Sequence, residues 1–515
     1  MGNESRVHKS LLNAKVNLIY YFLFLILSFF SRKIFLDTLG AEFTGLQGTL
    51  QNILGYLNLA EFGISTAIAF NLYKPIREGD RKKIMDLVSM FGYMYRIIGT
   101  FVLVVGTIIA CLLPLIFKNS GFSNTIIILC YLSFLLSSLY GYFLNYKQIL
   151  LSADQKAYII TKYYQAAQFI AVLIQMAIAY YWQSYIGVIM IQMLYGIVYC
   201  VILEKRLTKE YPWFKVNLAR GKEILGQYPQ IIKSTKQVFI HRIKDFILGK
   251  SDQLFVFAFA NLTMVAYYGN YSMILLKLQQ LFTTALDGLS ASVGNLVAEG
   301  DMSKIEKVFW ELISLRYFIG GVAVYCLCTL IQPFICLWLG EKYLLGWSLI
   351  GLMIANYYIM QTRGVVDMFN NAYGHYADVW AAWVEGIVCV TVTIVAGIKL
   401  GIIGVLIGKL ASMTPIVLLW KPYYLFRDGF KISYWVYWKG ILIHYALLGI
   451  SILISYLVIK IFSINPYNGF IHFIYYSILN FIVFLIIYIP LLIKFAPGAS
   501  DLLYRIPIIG KKLNK

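Results

Sequence analysis

The chain reads EGDRKKI at residues 78–84 and EGDMSKI at residues 299–305, 221 residues later. Each stretch is predicted to follow a long apolar helix and to precede another that carries a late proline, Pro114 in one case and Pro333 in the other. An aspartate before a helix is a common cap, so shared loop composition is the alternative explanation. Because position and flanking pattern also match, we interpret the two stretches as an internal repeat and predict two related halves.

The composition is that of a chain that lies in lipid. Of its 515 residues, 60% are hydrophobic and 13% charged, whereas soluble proteins average about 25% charged residues. Apolar runs recur from Leu18 to Ile493, each near the roughly 20 residues that a helix needs to cross a bilayer. We predict an all-α integral membrane protein with about fourteen transmembrane helices. The predicted spans are residues 14–36, 44–72, 86–117, 122–148, 157–181, 184–204, 230–259, 263–295, 307–338, 344–370, 377–399, 402–426, 436–462 and 469–495.

Positive charges divide unevenly between the loops. The net charge is +20, and about 30 of the 44 lysines and arginines fall in the alternate loops that begin with the N-terminus, against about six in the opposite set. Since lysine and arginine remain on the cytoplasmic side, we expect a multi-pass protein of the plasma membrane with both termini in the cytoplasm. The positive charge then faces the anionic headgroups of the phospholipid bilayer, and we predict no nucleic-acid partner.

Both copies of the repeated pattern fall on the predicted cytoplasmic side. Two halves with the same orientation are related by an axis along the membrane normal. Such bundles can rock against each other and expose a central cavity to alternate sides of the membrane. The repeat therefore indicates a transporter that works by alternating access.

The predicted seventh helix carries a polar stripe. At about 100° per residue, nine of its polar side chains fall within one sector of about 120°. A charge at the bilayer centre costs about 2.5–3.5 kcal/mol on insertion scales, so the stripe should face water or polar side chains. The alternative is a cytoplasmic amphipathic helix before a shorter span. The stripe consists of Gln230, Lys233, Ser234, Gln237, His241, Lys244, Asp245, Ser251 and Asp252.

Further charged residues are predicted within or beside the spans. Arg363 and Asp367 lie four residues apart on one helix and can pair. For any one residue, a structural ion pair or a snorkelling end is the alternative to a substrate contact. Together the charges are mainly basic, which suits an anionic substrate such as a lipid pyrophosphate. The candidate substrate-cavity residues are Arg32, Lys33, Glu61, Arg96, Lys233, His241, Lys244, Asp245, Asp252, Lys277, Arg316, Arg363, Asp367 and Glu385.

Motifs for nucleotide, metal or nucleophilic chemistry are missing from the sequence. Gly249-Lys250-Ser251 looks like the end of a P-loop, but Lys244 replaces the first glycine of that motif. His241 and Asp245 have the H-x-x-x-D spacing of some acyltransferases, yet they lie in a predicted helix. No H-E-x-x-H motif and no cysteine–histidine cluster occurs. We expect a non-enzyme with no catalytic residue, metal or cofactor, whose transport uses a gradient of Na⁺ or H⁺, the membrane potential or substrate flux.

Four stretches resemble a known family. They read LGAEFTGL at residues 39–46, LNLAEFGISTA at 57–67, SDQL at 251–254 and YYGNY at 267–271. With them the chain resembles Wzx-type polysaccharide flippases, in the polysaccharide-transport family of the multidrug/oligosaccharidyl-lipid/polysaccharide exporter superfamily. The resemblance covers nearly the whole length, and its motifs mark the family rather than the cargo.

The resemblance implies two pseudo-symmetric six-helix lobes plus two C-terminal helices around a central cavity. On the predicted spans this gives an N-terminal lobe at 1–205, a cytoplasmic linker at 206–229, a C-terminal lobe at 230–430, and two additional helices with a basic tail at 431–515. The implied activity is translocation of undecaprenyl-pyrophosphate-linked oligosaccharide for capsule, O-antigen or exopolysaccharide synthesis. The lipid-linked oligosaccharide is then the substrate, and a glycan polymerase and glycosyltransferases are candidate partners.

Two other functions stay open from the sequence. A cation-coupled multidrug exporter of the same superfamily more often carries acidic membrane residues, and the basic bias disfavours it. A membrane polysaccharide polymerase or acyltransferase is the second alternative. Polymerases of this size usually have a large external loop, which is not predicted here.

Overall fold

Helices form the regular structure of the chain wherever it is described. The computed structural model describes residues 6–58, 64–228, 252–286, 288–375 and 379–504, and no β-strand occurs in these ranges. The predicted all-α membrane fold is thereby confirmed, whereas the count of fourteen spans stays a prediction. Within the described ranges, nine helical stretches are long and apolar enough to cross a membrane. They are Leu12–Thr38, Arg81–Ile116, Asn124–Phe143, Tyr185–Glu210, Met302–Leu339, Trp380–Leu400, Ile402–Phe430, Trp435–Ile461 and Phe470–Phe495.

The chain divides into two compact units, of which the first is Met1–Ala266. Its helix α2 shows how the sequence builds the core: Phe43, Leu46 and Leu50 are fully buried and share one helical face. The helices of this unit are α1 (Arg6–Thr38), α2 (Gly40–Leu57), α3 (Ile64–Glu78), α4 (Arg81–Ile116), α5 (Asn124–Phe143), α6 (Ile149–Ala153), α7 (Ala157–Trp182), α8 (Tyr185–Glu210), α9 (Gly221–Gln227), α10 (Asp252–Phe259) and the beginning of α11 (Leu262–Leu286).

The second unit is Tyr267–Lys515. The lobe and linker boundaries predicted from the sequence stay predictions. After the rest of α11, the helices of this unit are α12 (Leu289–Glu299), α13 (Met302–Leu339), α14 (Trp347–Thr362), α15 (Gly364–Ala372), α16 (Val379–Leu400), α17 (Ile402–Met413), α18 (Lys421–Tyr424), α19 (Trp435–Ile461), α20 (Phe470–Phe495) and α21 (Ala499–Tyr504).

The two copies of the repeated pattern start helices in the same way. Asp80 before α4 and Asp301 before α13 each accept a side-chain hydrogen bond from the backbone nitrogen three residues later, at 3.0 and 3.1 Å. The preceding glycines have positive φ, 70° at Gly79 and 78° at Gly300, a conformation that other residues rarely adopt. The repeat therefore extends from the sequence to the local structure.

Helices α2 and α10 are in close contact in the first unit. Asn52 Nδ2 donates to Gln253 Oε1 at 2.6 Å. A β-carbon at Gly45 would lie 1.9 Å from the carbonyl oxygen of Leu262, so only glycine lets the backbone at the start of α11 approach this closely. Residues 39–46 and 252–254, which belong to two of the stretches that carry the family resemblance, thus contribute to one packed region.

The amide pair between these helices yields a direct test of that contact. We expect Asn52→Ala and Gln253→Ala to show a coupling free energy of about 0.5–1.5 kcal/mol, because each single change already removes the shared hydrogen bond. The measurement is a double-mutant cycle of unfolding midpoints in detergent. Gln51→Ala is the matched control, because the exposed side chain of Gln51 neighbours Asn52 in sequence. Its effect on the free energy of unfolding should add to that of Gln253→Ala without coupling. Equal coupling in both cycles would argue against the contact.

Glycines bring α16 and α17 together in the second unit. The turn between them uses Gly401, whose φ is 58°. A β-carbon at Gly404 would lie 2.2 Å from the carbonyl carbon of Ala396, and one at Gly408 would lie 2.1 Å from Thr393 Oγ1. Small residues four apart allow such close approach, and in lipid it is packing rather than hydrophobic burial that holds helices together.

Helix α13 packs against both long C-terminal helices. The ring of Trp310 covers Gly440 of α19, where a β-carbon would lie 2.2 Å from Cη2. Tyr325 Oη donates to Asn480 Oδ1 of α20 at 2.8 Å, and its ring stacks on Phe484 with centroids 4.2 Å apart. Ser314 of α13 also contacts His444 of α19, and Tyr317 contacts Tyr488 of α20, so α13 runs parallel to α19 and antiparallel to α20.

Candidate functional site

A break between α14 and α15 positions the candidate site in the second unit. Helix α14 ends at Thr362, Arg363 forms the turn, and α15 begins at Gly364. Backbone hydrogen bonding continues across the break, because Arg363 N donates to Ile359 O and Asp367 N donates to Arg363 O, both at 3.1 Å. Arg363 and Asp367 therefore keep the spacing of one helical turn.

Gly364 makes room for a second guanidinium at this break. Arg316 of α13 is only 8% exposed, and its Cζ would lie 2.9 Å from a β-carbon at position 364. A side chain at that position would push the guanidinium away. The glycine thus allows Arg316 and Arg363 to lie at the same helix break.

One carboxylate joins two of the cations. Arg363 Nε lies 3.3 Å from Asp367 Oδ2, and Lys421 Nζ donates to Asp367 Oδ1. The three side chains are 18–24% exposed. Asn370 Nδ2 also donates to the carbonyl of Lys421 at 3.2 Å, which ties α15 to the backbone at Lys421. Charges removed from water are costly unless they are paired, so Asp367 stabilises both cations in this position.

Lys421 lies in an irregular stretch that follows α17. The backbone is π-helical over Thr414–Trp420 and again over Leu425–Phe430, and the short helix α18 lies between the two. Pro415 and Pro422 each lack the N–H that an α-helix would use, which weakens the regular hydrogen-bond ladder here. Single π-helical turns occur often at functional sites.

These four residues, Arg316, Arg363, Asp367 and Lys421, form what we term the basic cluster. It combines three cations with one carboxylate. In the part of the chain that the structure describes, Nη1 and Nη2 of Arg363 have no hydrogen-bond partner. A guanidinium can direct two parallel N–H groups at phosphate oxygens, and such charge-assisted bonds are stronger in a partly buried site than in water. The cluster therefore has the charge and the donors to bind a phosphate or a diphosphate.

The structure brings together three of the residues that the sequence singles out. Arg316, Arg363 and Asp367 meet at the helix break, and the ion pair expected from the four-residue spacing of the last two is present. Lys421 was not predicted, since from sequence alone it is counted with the cytoplasmic loop cations. The two prolines that flank it are the signal that could have marked an irregular, functional stretch.

Four other predicted residues lie in the described part of the first unit. Arg32 Nη2 donates to the carbonyl oxygen of Ala266 at 2.8 Å and so links α1 to α11. Lys33 forms an exposed ion pair, with a nitrogen–oxygen distance of 3.1 Å, to the aspartate one turn later. Arg96 is exposed on α4, and Asp252 is a half-buried residue at the start of α10. Their role in a substrate cavity stays a prediction.

The remaining predicted residues divide between described and undescribed parts of the chain. Lys277 is half-buried on α11, and Glu385 is buried on α16 at 1% exposure. Over the described ranges, no group of three or more histidine, cysteine, aspartate or glutamate side chains could hold a metal ion. The predicted residues that lie outside the described ranges are Glu61, Lys233, His241, Lys244 and Asp245.

Comparison with known proteins identifies the fold. No protein-family model and no curated protein matches the sequence. Among solved structures, the inward-facing form of a multidrug resistance MATE family transporter of the MOP superfamily superposes with a TM-score of 0.56 at 14% identity, over 78% of this chain and 94% of that one. The inward closed form of lipid II flippase MurJ superposes with a TM-score of 0.67 at 15% identity, over 97% of this chain and 100% of that one. The chain is thus a multi-pass membrane protein with the fold of these transporters.

Proposed function

We propose that the chain is a flippase that moves undecaprenyl-pyrophosphate-linked oligosaccharide across the plasma membrane, for capsule, O-antigen or exopolysaccharide synthesis. The observation that carries the proposal is the basic cluster in the second unit. Its cations would bind the diphosphate of the substrate while the polyprenyl chain remains in lipid.

The chemistry of the cluster suits a diphosphate. Such a group presents several anionic oxygens that must exchange water for other donors when they enter the protein. Arg316 and Arg363 supply planar donors and Lys421 supplies a compact charge. Because Asp367 holds two of these cations before any ligand arrives, less ordering is needed on binding. Each charge-assisted hydrogen bond contributes about 1.5–3 kcal/mol.

The position of Arg316 along α13 fits entry of substrate from the cytoplasm. The helix begins at Met302 and is 38 residues long, roughly 57 Å, which exceeds the hydrocarbon thickness of about 30 Å. Arg316 lies about 21 Å from that beginning. With residues 299–305 in the cytoplasm and both termini inside, as the loop charges predict, the basic cluster would lie in the cytoplasmic half of the membrane.

The solved structures with this fold support a mechanism of the proposed kind. The lipid II flippase named above carries a lipid-linked cargo, which supplies a precedent. The repeated helix starts support two related bundles that alternate access to a central cavity. We propose that Na⁺, H⁺ or the membrane potential drives the cycle, and that a glycan polymerase and glycosyltransferases are partners.

Flipping of a labelled substrate tests the proposal. We expect Arg363→Gln to slow transport of a fluorescent undecaprenyl-diphosphate oligosaccharide in proteoliposomes by about tenfold or more, since it removes charge-assisted donors to phosphate. Arg363→Lys should keep an intermediate rate. The readout is fluorescence lost to an impermeant reductant added outside. Lys399→Gln is the matched control, because Lys399 is an exposed cation of the same unit and should leave the rate unchanged.

A multidrug exporter is the second candidate, because a MATE family transporter has the same fold. That function predicts export of cationic dyes, which the three cations of the basic cluster would repel. Dye export by the wild-type protein, together with no flipping of the labelled lipid above the level of protein-free liposomes, would reject the flippase in favour of the exporter.

A further inference from the structure

A buried histidine joins three segments of the second unit. His444 of α19 is fully buried, and its Nδ1 lies 2.7 Å from the carbonyl oxygen of Gly440. Its Nε2 lies 3.0 Å from Oγ of Ser314 on α13, which is 2% exposed. The same Oγ donates at 2.6 Å to the carbonyl oxygen of Pro497, in the connection between α20 and α21. We term these contacts the histidine junction.

Counting hydrogens shows that the histidine junction is one proton short when the ring is neutral. A carbonyl can only accept, so Nδ1 must carry the hydrogen that reaches Gly440. Ser314 has a single hydroxyl hydrogen, which can go to Pro497 or to Nε2 of His444 but not to both. With a neutral ring, one of these two short contacts lacks a hydrogen. With a proton on Nε2, all three contacts become complete hydrogen bonds.

We propose that His444 is a proton-binding site, and that proton uptake at Nε2 closes the histidine junction. The bound proton would be donated to Ser314 Oγ, and the serine hydrogen would then be committed to Pro497. Proton occupancy would therefore decide how firmly the α20–α21 connection is held against α13. The inference rests on contacts within the second unit and is independent of the substrate proposed above.

The histidine junction is closed to solvent. Because His444 and Ser314 are sealed from water, solvent cannot supply the missing hydrogen. The ring of Tyr317 lies 5.0 Å from that of His444, and Tyr488 Oη donates to the carbonyl of Tyr317 at 3.2 Å. The titratable and charged groups on the elements packed around the histidine include Glu311, Arg316 and Tyr317 on α13, Tyr358 on α14, Tyr437, Lys439 and Tyr445 on α19, Tyr488 on α20, and Asp501 on α21, which pairs with Lys307 at 2.9 Å.

Polar groups continue along the same face of α19. Ser451 and Ser455 follow His444 by seven and eleven residues, which returns them to within about 20° of its direction. Both are fully buried, and within the described residues the Ser451 hydroxyl has no hydrogen-bond partner. Tyr325 and Asn480 add a further buried polar pair to this interface. The interface of α13, α19 and α20 therefore carries buried polar groups beyond the histidine junction.

Titration of the histidine in the folded protein tests the proposal. The chain has five histidines, so isotope-labelled histidine rings give few resonances, and the one that disappears in His444→Gln belongs to His444. We expect that resonance to change from the neutral to the charged ring as the pH is lowered toward about 5, while the protein stays folded. Ser314→Ala removes the acceptor of the new hydrogen bond, so it should weaken proton binding by about tenfold or more.

The exposed His472 of α20 is the internal control, and its resonances should be the same in the wild type and in Ser314→Ala. A His444 ring that remains neutral at about pH 5 in the folded wild-type protein would overturn the proposal, whatever the variants do. So would an unchanged titration in Ser314→Ala, because the proton would then not be held by the serine. Flipping activity plays no part in this measurement, so its outcome is separate from that of the transport assay.

Discussion

Asp367→Asn is expected to lower the melting temperature of the protein and to make it respond strongly to inorganic pyrophosphate. The carboxylate lies between Arg363 and Lys421, and all three side chains are at most 24% exposed. Its loss leaves two confined cations without their shared partner, at a cost of about 1.5–3 kcal/mol for the lost charged bonds. At roughly 2–4 °C per kcal/mol, the loss is measurable by thermal denaturation in detergent.

Pyrophosphate distinguishes a ligand site from a purely structural ion cluster. If the basic cluster binds diphosphate, added inorganic pyrophosphate should raise the melting temperature of Asp367→Asn more than that of the wild type, because the anion replaces the lost carboxylate. Asp428→Asn is the control: Asp428 pairs with Arg427 on the surface and should change neither property. A destabilised Asp367→Asn that ignores pyrophosphate would mean that the cluster is structural.

Gly408→Ala is expected to cause a large loss of stability in the second unit. The new β-carbon would lie 2.1 Å from Thr393 Oγ1 and 2.6 Å from Thr393 N, so α16 and α17 would have to separate. Overpacking of this kind costs about 1–3 kcal/mol, and the clash with backbone places it at the upper end. Thermal denaturation and size-exclusion profiles of the purified protein measure the effect.

The control for this change is Gly386→Ala on the same α16. No atom lies within 4 Å of a β-carbon at position 386, and alanine is the better helix former. That variant should be as stable as the wild type or slightly more stable. If both variants melted at the same temperature, the close contact between α16 and α17 would be wrong.

Periodicity and hydropathy predict the helical fold well, because a segment that crosses lipid must be apolar and must satisfy its backbone hydrogen bonds within a helix. Spans such as 86–117 and 307–338 correspond to α4 and α13, whose starts are also marked by the capping aspartates. Breaks inside spans were harder to predict. The predicted span 344–370 corresponds to two helices, α14 and α15. The break between them was missed because the turn at Arg363 keeps its backbone hydrogen bonds, so the sequence shows no loop composition there. Likewise 263–295 contains both α11 and α12.

The candidate site was only partly predictable for the same reason. Arg363 and Asp367 are one turn apart in sequence, so helical geometry alone predicts their pair. The approach of Arg316 depends on the missing side chain at Gly364, and the position of Lys421 depends on π-helical turns, neither of which leaves a periodic signal. The polar stripe of the predicted seventh helix lies mostly in 229–251, outside the described residues, so its position in a cavity stays a prediction.

The matched starts of α4 and α13 supply the protein with an internal spectroscopic reference. Lys82 and Ser303 occupy the same place relative to their capping aspartates, and both side chains are exposed. Spin labels attached at these two positions would have nearly identical tether geometry. Any difference between their spectra during a transport cycle would then report the surroundings of each bundle rather than the shape of the helix that carries the label.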